Sequence, residues 1–180
     1  MIDPDLSLTI AVEPITSLAA QALIAALDAD ILERYPNPDD NFFELSAEEV
    51  AIENGAFVIA RANRRAIGCG AVRRIDATTA EIKRMYVIPD ARGQGLSRKI
   101  LASLEAEAGR IGVTRLVLET GDRQVEAVAL YLRAGFERIP RFGEYIDAPL
   151  SVCFGKDLDR DRDRDRDRDR DRDPRPITAA

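Results

Sequence analysis

Glu81–Leu101, EIKRMYVIPDARGQGLSRKIL, decides how this chain is read. Ile82, Met85 and Val87, with Tyr86 beside them, give an inner strand over Glu81–Val87. Pro89 has no amide hydrogen and cannot continue a ladder in mid-sheet, so the strand ends by Ile88. From Arg98 the apolar residues Ile100, Leu101, Leu104 and Ala108 recur at helical spacing. Between strand and helix lies Arg92-Gly93-Gln94-Gly95-Leu96-Ser97. Such a loop delivers free backbone N–H groups to a helix N-terminus, where they and the helix dipole favour an anion, typically phosphate. Glycine leaves no Cβ in the way and reaches positive φ. A lone GxG also fits an ordinary turn. The GxxxxGK[ST] pattern is absent and position 98 is Arg, which argues against a P-loop hydrolase and a full GxGxxG dinucleotide loop.

Two motifs raise the specificity. Val87-x-Pro89-x-x-Arg92-Gly93-x-Gly95-Leu96 resembles the acyl-CoA signature of the GNAT superfamily of N-acetyltransferases, [QR]-x-x-G-x-[GA]. Arg92 and Gly95 match, and Ser97 stands where Gly or Ala is usual. Gln124-x-x-Ala127-x-x-Leu130-Tyr131-x-Arg133-x-Gly135-Phe136 resembles the family's second motif, N-x-x-A-x-x-L-Y-x-K-x-G-F, with Gln124 for Asn and Arg133 for Lys. The resemblance runs over about Ser7 to Lys156.

The chain of 180 residues is long enough for one domain with a proper core. Its net charge is −6, and the tail from Asp159 holds eight Asp against seven Arg plus Arg175, so the whole excess lies in residues 1–158. An acidic body argues against general nucleic-acid binding. A phosphorylated cofactor remains compatible with the local cations Lys83, Arg84, Arg92, Arg98 and Lys99. There is no His, which excludes Ser-His-Asp and Cys-His systems and the usual His-containing zinc sites; no metal is expected. Cys69 and Cys153 sit in apolar runs and read as buried reduced thiols of a cytoplasmic protein. No signal peptide or membrane-spanning run is visible, so no membrane partner is expected.

In order, Leu6–Glu13 alternates as a strand, and Thr16–Tyr35 is a helix with Thr16 or Ser17 as N-cap. Phe42 and Phe43 fit either plain packing or, by the resemblance, one wall of an acceptor site. Ser46-Ala47-Glu48-Glu49 reads as a capping box opening a short helix to about Glu53. Strands follow over Ala56–Ala60 and Ala66–Ile75, then the central strand and the glycine loop. The helix from Ser97 ends near Gly109–Gly112. Thr114–Thr120 is a strand, Arg123–Arg133 a helix closed by Gly135, and Phe136–Ile139 and Leu150–Phe154 are the last strands. This order gives an α/β sheet of mixed direction over residues 1–158. The resemblance implies a GNAT-type fold, a mixed and mostly antiparallel central sheet flanked by helices, whose central strands splay into a V-shaped slot. Asp159–Asp173 alternates Asp and Arg strictly and cannot bury a core, so residues 159–180 are expected to be a disordered tail.

The resemblance implies an acetyl-CoA-dependent acyltransferase acting on a primary amine, in a ternary complex, with a small molecule as acceptor; homodimers are common in that family. Backbone groups of Met85, Tyr86 and Val87 are expected to hold the pantetheine arm as an added strand does. Gly93, Gln94, Gly95, Leu96 and Ser97, with Arg92, face the pyrophosphate, and Gln124 stands where the family's Asn bonds the arm. Tyr131 occupies the position that protonates the departing thiolate; a thiol pKa of about 8.5 lies below that of phenol, about 10. Glu81, at the start of the central strand, is the candidate base, with Glu119 or a water as competitors. Glu144 is a candidate for holding an ammonium group, and Arg73 or Arg74 for a carboxylate. The alternative is a non-catalytic acyl-CoA-binding sensor, which needs Arg92–Ser97 but not Tyr131.

Overall fold

A computed structural model describes residues 8–37 and 45–158. Phe42, Phe43 and the Asp-Arg tail lie outside them. The elements are β1 (Leu8–Val12), α1 (Leu18–Arg34), β2 (Gly55–Ala62), β3 (Arg65–Arg74), β4 (Thr79–Val87), α2 (Leu96–Arg110), β5 (Arg115–Gly121), α3 (Val125–Arg133), β6 (Glu137–Ile139) and β7 (Ser151–Asp157). They form one sheet in the order β1-β2-β3-β4-β5-β7-β6. Every neighbouring pair is antiparallel except β4 and β5. The expected α/β architecture, mixed and mostly antiparallel, is the observed one.

One expected element is missing. Ser46 and Glu49 make the reciprocal capping-box bonds, Ser46 N–H to Glu49 Oε2 at 2.7 Å and Glu49 N–H to Ser46 Oγ at 3.3 Å. Yet residues 47–50 form hydrogen-bonded turns and no helix follows. Glu49 also binds Arg73, so the acidic cap serves a tertiary ion pair instead of nucleating a helix. Elsewhere local rules hold. The Ser17 hydroxyl accepts from the Ala20 N–H and starts α1. The expected strands at Ala56–Ala60 and Leu150–Phe154 run on to Ala62 and Asp157, because pairing with neighbours carries them past their apolar cores, while the one at Phe136–Ile139 begins a residue later, at Glu137.

The sheet has two covered faces. On one, Ile82, Leu116, Leu118 and Phe154 pack with Ile100, Leu101 and Leu104 of α2 and Tyr131 of α3. On the other, Phe57, Ile59, Cys69, Ala71 and Tyr86 pack with Ala20, Leu23 and Leu27 of α1. Helix α2 sits very close to β3: a Cβ on Gly70 would lie 2.8 Å from Leu104 Cδ1.

The two halves of the sheet part company at its centre. The register of β4 with β5 runs from Thr79↔Arg115 to Ile82↔Leu118 and stops. Beyond it β4 stays with β3, while β5 stays with β7 as far as Gly121↔Ser151. The cause is a bulge in β4. Cys69 pairs with Tyr86 but Ala71 with Lys83, so Gly70 alone faces Arg84 and Met85. Arg84 takes the left-handed conformation, φ 58°. A bulge bends its strand and adds twist. The bend is fixed from both sides: the Cys69 thiol donates to the Arg84 carbonyl at 3.4 Å, and the Arg84 guanidinium binds Asp28 of α1 at 2.6 Å. The V-shaped slot is therefore present, and its apex lies just past Ile82 and Leu118.

Leu104 is fully buried at the centre of the α2 contact. Leu104→Ala is expected to cost about 2–5 kcal/mol, as large-to-small core changes do, read as a drop in the urea midpoint with an unchanged slope.

Candidate active site

A cleft of about 660 Å³ fills the V. It is lined by β4 from Ile82 to Val87, the turn and first residues of α2, the end of β5, one side of α3 and part of α1. Most of the expected site residues meet here: Met85, Tyr86, Val87, Arg92, Gly93, Gly95, Leu96, Ser97, Gln124 and Tyr131.

At the outer end, a short 3₁₀ turn over Pro89–Ala91 leads into the glycine loop. Gly95 is the N-cap of α2 at φ 73°, and no side chain caps the helix. The amides of its first turn therefore face the cleft unspent, as an anion site requires. Among the described residues nothing lies within 4 Å of where a Cβ would stand on Gly93 or Gly95. Arg92 is anchored, not free: its Nε donates to the Val87 carbonyl at 2.8 Å, its other end binds Asp30 at 2.5 Å, and it stacks on Tyr86 at 5.6 Å. Gln94 is the exception in the loop. It does not line the cleft, and its amide reaches the Asp90 carbonyl at 3.5 Å. Gln124 starts α3 without making a cap bond, leaving its side chain to the cleft.

A clasp that the sequence did not reveal joins the two walls. The Tyr35 hydroxyl accepts from the Arg123 N–H at 2.6 Å and donates to Asp122 Oδ1 at 3.3 Å, and the Arg123 guanidinium lies over its ring at 5.4 Å. It ties the end of α1 to the turn that begins α3. The signal is spread over 88 residues of chain and has no local pattern.

At the inner end, Tyr131 is packed against Phe136 and Phe154, with ring centroids 5.8 and 6.1 Å away. Among the described residues its hydroxyl has no hydrogen-bond partner, and it lines the cleft. Burial, and then the charge of Glu119, push its pKa well above the usual phenol value. Tyr131 is thus a neutral O–H throughout the working range.

Glu81 has both carboxylate oxygens engaged by other side chains. It is 1% exposed and does not line the cleft. Its Oε1 accepts from the Tyr145 hydroxyl at 2.6 Å, and its Oε2 from Arg73 at 2.8 Å. Arg73 is a hub that also binds Glu49 and, at 3.3 Å, Glu144. Glu144 in turn accepts from Lys83 Nζ at 2.9 Å. So Glu144 and Arg73, read as candidates for an acceptor's ammonium and carboxylate, are largely spent on each other. Arg74 is spent as well, on the carbonyls of Asp76, Ala77 and Ile111.

Glu119 is the carboxylate that does face the cleft. It follows Leu118, the last residue of β5 paired with β4. Its Oε1 accepts from the Ser151 hydroxyl at 2.6 Å. Burial is the largest influence and raises its pKa; Ser151 and Lys83 pull it down, and Glu81 and Glu144 add to the rise.

A family model described as the acetyltransferase (GNAT) family matches residues 22–136. The IAA acetyltransferase of Azospirillum brasilense is 35% identical over 153 residues, covering 84% of this chain and 99% of that protein. A crystal structure from Klebsiella pneumoniae, classed provisionally as an acyl-CoA N-acyltransferase, shares 36% identity with a TM-score of 0.71, over 84% of this chain and 97% of that one. A GNAT family acetyltransferase from Elizabethkingia anophelis, solved with acetyl-CoA bound, has the same fold at 19% identity, TM-score 0.61, over 84% of this chain and 98% of that one.

The raised pKa of Glu119 fixes a pH signature. A carboxyl whose folded pKa lies above its unfolded value, about 4.3, binds more protons folded than unfolded between the two, so its contribution to stability falls as pH rises. Glu119→Gln keeps the acceptor for Ser151 and removes the titration. Its stability relative to wild type is expected to climb with pH from about 4.3 and level off above the folded pKa, measured by chemical denaturation in a pH series; a flat difference would contradict the burial of this charge.

Proposed function

This chain belongs to the GNAT acetyltransferase family, and from that premise we propose that it transfers the acetyl group of acetyl-CoA to the primary amine of a small molecule, by direct attack in a ternary complex. The observation that carries the reading is one continuous cleft, with unspent helix amides at one end and Tyr131 and Glu119 at the other. Two buried thiols without a disulfide suit the cytoplasm.

Acetyl-CoA fits the outer end chemically. The first-turn amides of α2 receive the pyrophosphate, and the open space at Gly93 and Gly95 lets it approach. Beyond Ile82 the second edge of β4 has no strand partner among the described residues, so its backbone from Lys83 to Val87 is available to the pantetheine amides. The thioester then reaches the apex.

There the free amine nitrogen attacks the thioester carbon. A C–N bond forms, the C–S bond breaks, and the electron pair leaves on sulfur. One proton must leave nitrogen and one must reach sulfur, so the products are the amide and the free thiol. We assign the first transfer to Glu119. Glu81, the first candidate from the sequence, is sealed between Arg73 and Tyr145, and its role becomes holding that network. Tyr131 donates its O–H to the departing sulfur.

Ser97→Glu tests the anchor. A Glu in the first turn favours the helix and avoids forcing a side chain onto the left-handed Gly95, so the protein should fold. It places a carboxylate in the anion cradle, and calorimetric titration should lose acetyl-CoA binding. Retained binding removes the cradle from the reading. Tyr131→Phe is expected to lower kcat by about 10²-fold or more with acetyl-CoA binding kept; an unchanged kcat removes Tyr131 from the chemistry.

A further inference from the structure

The apex holds a pair of charges that the transfer chemistry does not fully use. Ile82 and Leu118 are the last paired residues of β4 and β5, so Lys83 and Glu119 come next, one on each arm of the V. Side chains alternate across a sheet. Ile82 and Leu118 point to the α2 and α3 face, so Lys83 and Glu119 share the opposite face, where Tyr145 and Arg73 lie.

The Lys83 side chain is buried and that of Glu119 half-buried, and among the described residues each has polar capacity left over. The Lys83 side chain is 6% exposed. Among the described residues its ammonium donates one hydrogen bond, to Glu144, and lies 5.6 Å from the centre of the Tyr145 ring. Two N–H groups are left, and Lys83 lines the cleft. Glu144 does not neutralise it alone, since the same oxygen also serves Arg73 and its side chain is 36% exposed to water. Across the cleft, Glu119 has one oxygen held by Ser151 and, among the described residues, no donor on the other. Buried opposite charges normally pair. Here the two are close enough for Lys83 to lower the pKa of Glu119, yet no ion pair joins them among the described residues. A gap between two charges of opposite sign that line one cleft, each with polar capacity to spare, is complementary to a ligand that carries both charges.

Resting on the acetyltransferase reading above, we infer that the acceptor is a zwitterion of the amino-acid type, with its amine beside Glu119 and its carboxylate on Lys83. The carboxylate takes up the spare N–H groups of Lys83. Glu119 pairs with the ammonium and takes its first proton, which passes on to water in the cleft; the free amine then attacks, and the second proton it gives up replaces, by way of Glu119, the one that Tyr131 has donated to the sulfur. Orientation follows, because fixing the carboxylate on β4 turns the nitrogen toward the thioester carbon at the apex. An amine without the carboxylate gains only one of the two contacts and leaves Lys83 unsatisfied, the asymmetry that makes a missing polar partner costly.

The test is an acceptor panel: the L-amino acids, each beside the amine made by removing its carboxylate (alanine with ethylamine, phenylalanine with phenethylamine, and so on). Release of CoA is followed for wild type, Lys83→Met and Lys83→Arg. Wild type is expected to favour an amino acid over its matching amine in kcat/KM by roughly ten- to a hundredfold, the range of one charge-assisted hydrogen bond. Lys83→Met should erase that ratio, mainly through KM, and Lys83→Arg should restore part of it because the charge is kept. Matching amines used as well as the amino acids overturn this inference and leave the acetyltransferase reading standing. So does a Lys83→Met ratio equal to that of wild type, which would put Lys83 on the thioester and not on the acceptor. No acetylation of any acceptor overturns both.

Discussion

The site depends on β4 releasing β5 after a single short run of pairing. A parallel pair in mid-sheet normally continues, because each unpaired N–H and C=O in a dry interior is costly. Here the ladder stops at Ile82↔Leu118 and the exposed backbone borders a cleft. The left-handed conformation at Arg84 imposes the break. For a residue with a Cβ it costs about 1–2 kcal/mol. It persists because Arg84 is tied to Asp28 on α1 and its carbonyl to the Cys69 thiol; one charge-assisted bond of this kind contributes about 1.5–3 kcal/mol. The helix that covers the sheet also holds the strain that opens it.

The charged cluster around Arg73 has a related logic. Arg73 gathers Glu49 from the turn after the undescribed segment, Glu81 from β4 and Glu144 from the loop before β7. These belong to pieces of chain with no direct sequence relation, and they enclose the far side of the apex. A buried ion pair is weak evidence for stability but a strong determinant of where its members sit. Losing one partner of Glu81 would leave a carboxylate uncompensated inside the protein. The network therefore fixes Tyr145 and Glu144 against β4, and with them the position of Lys83.

The sequence made local features legible and hid those that arise from contact. The glycine loop and the helix it starts were readable because their chemistry lies within a few residues: Pro89 ends a strand, Gly95 takes positive φ, and the apolar spacing from Ile100 sets one helical face; Tyr131 was singled out only through the resemblance of its motif. The mixed sheet followed from element order. The bulge was not readable, since Arg84 is neither Gly nor Asn and nothing in KRMYV marks a left-handed residue. The short helix after Ser46 failed for the opposite reason: its cap signal is real, but Glu49 is claimed by Arg73. Glu81 and Glu119 could not be separated, because both are strand carboxylates and only their partners distinguish them. Arg73 and Tyr145 seal one; the other, beside Ser151, faces the cleft.

In the proposed transfer, partial burial at the apex bears on both proton steps. In water, a carboxylate with pKa about 4.3 is a poor base for an ammonium near 10, and phenol near 10 is a poor acid toward a thiolate whose thiol titrates near 8.5. Desolvation moves each pair. Burial raises Glu119, and the same burial lowers a bound ammonium, since it disfavours whichever form is charged. The two converge. On the other side Tyr131 is pushed up, which by itself makes it a weaker acid. A thiolate emerging into the same surroundings is destabilised too. Cys69, buried within the same protein, shows the direction: burial pushes its thiol up. In the proposed transfer, a sulfur leaving beside Tyr131 is therefore a stronger base than in water, and the phenol's loss of acidity is met by the thiolate's gain in basicity. In the proposed transfer, the removal of both pairs from bulk water by the bound substrates, more than any single residue type, brings donor and acceptor within reach of each other.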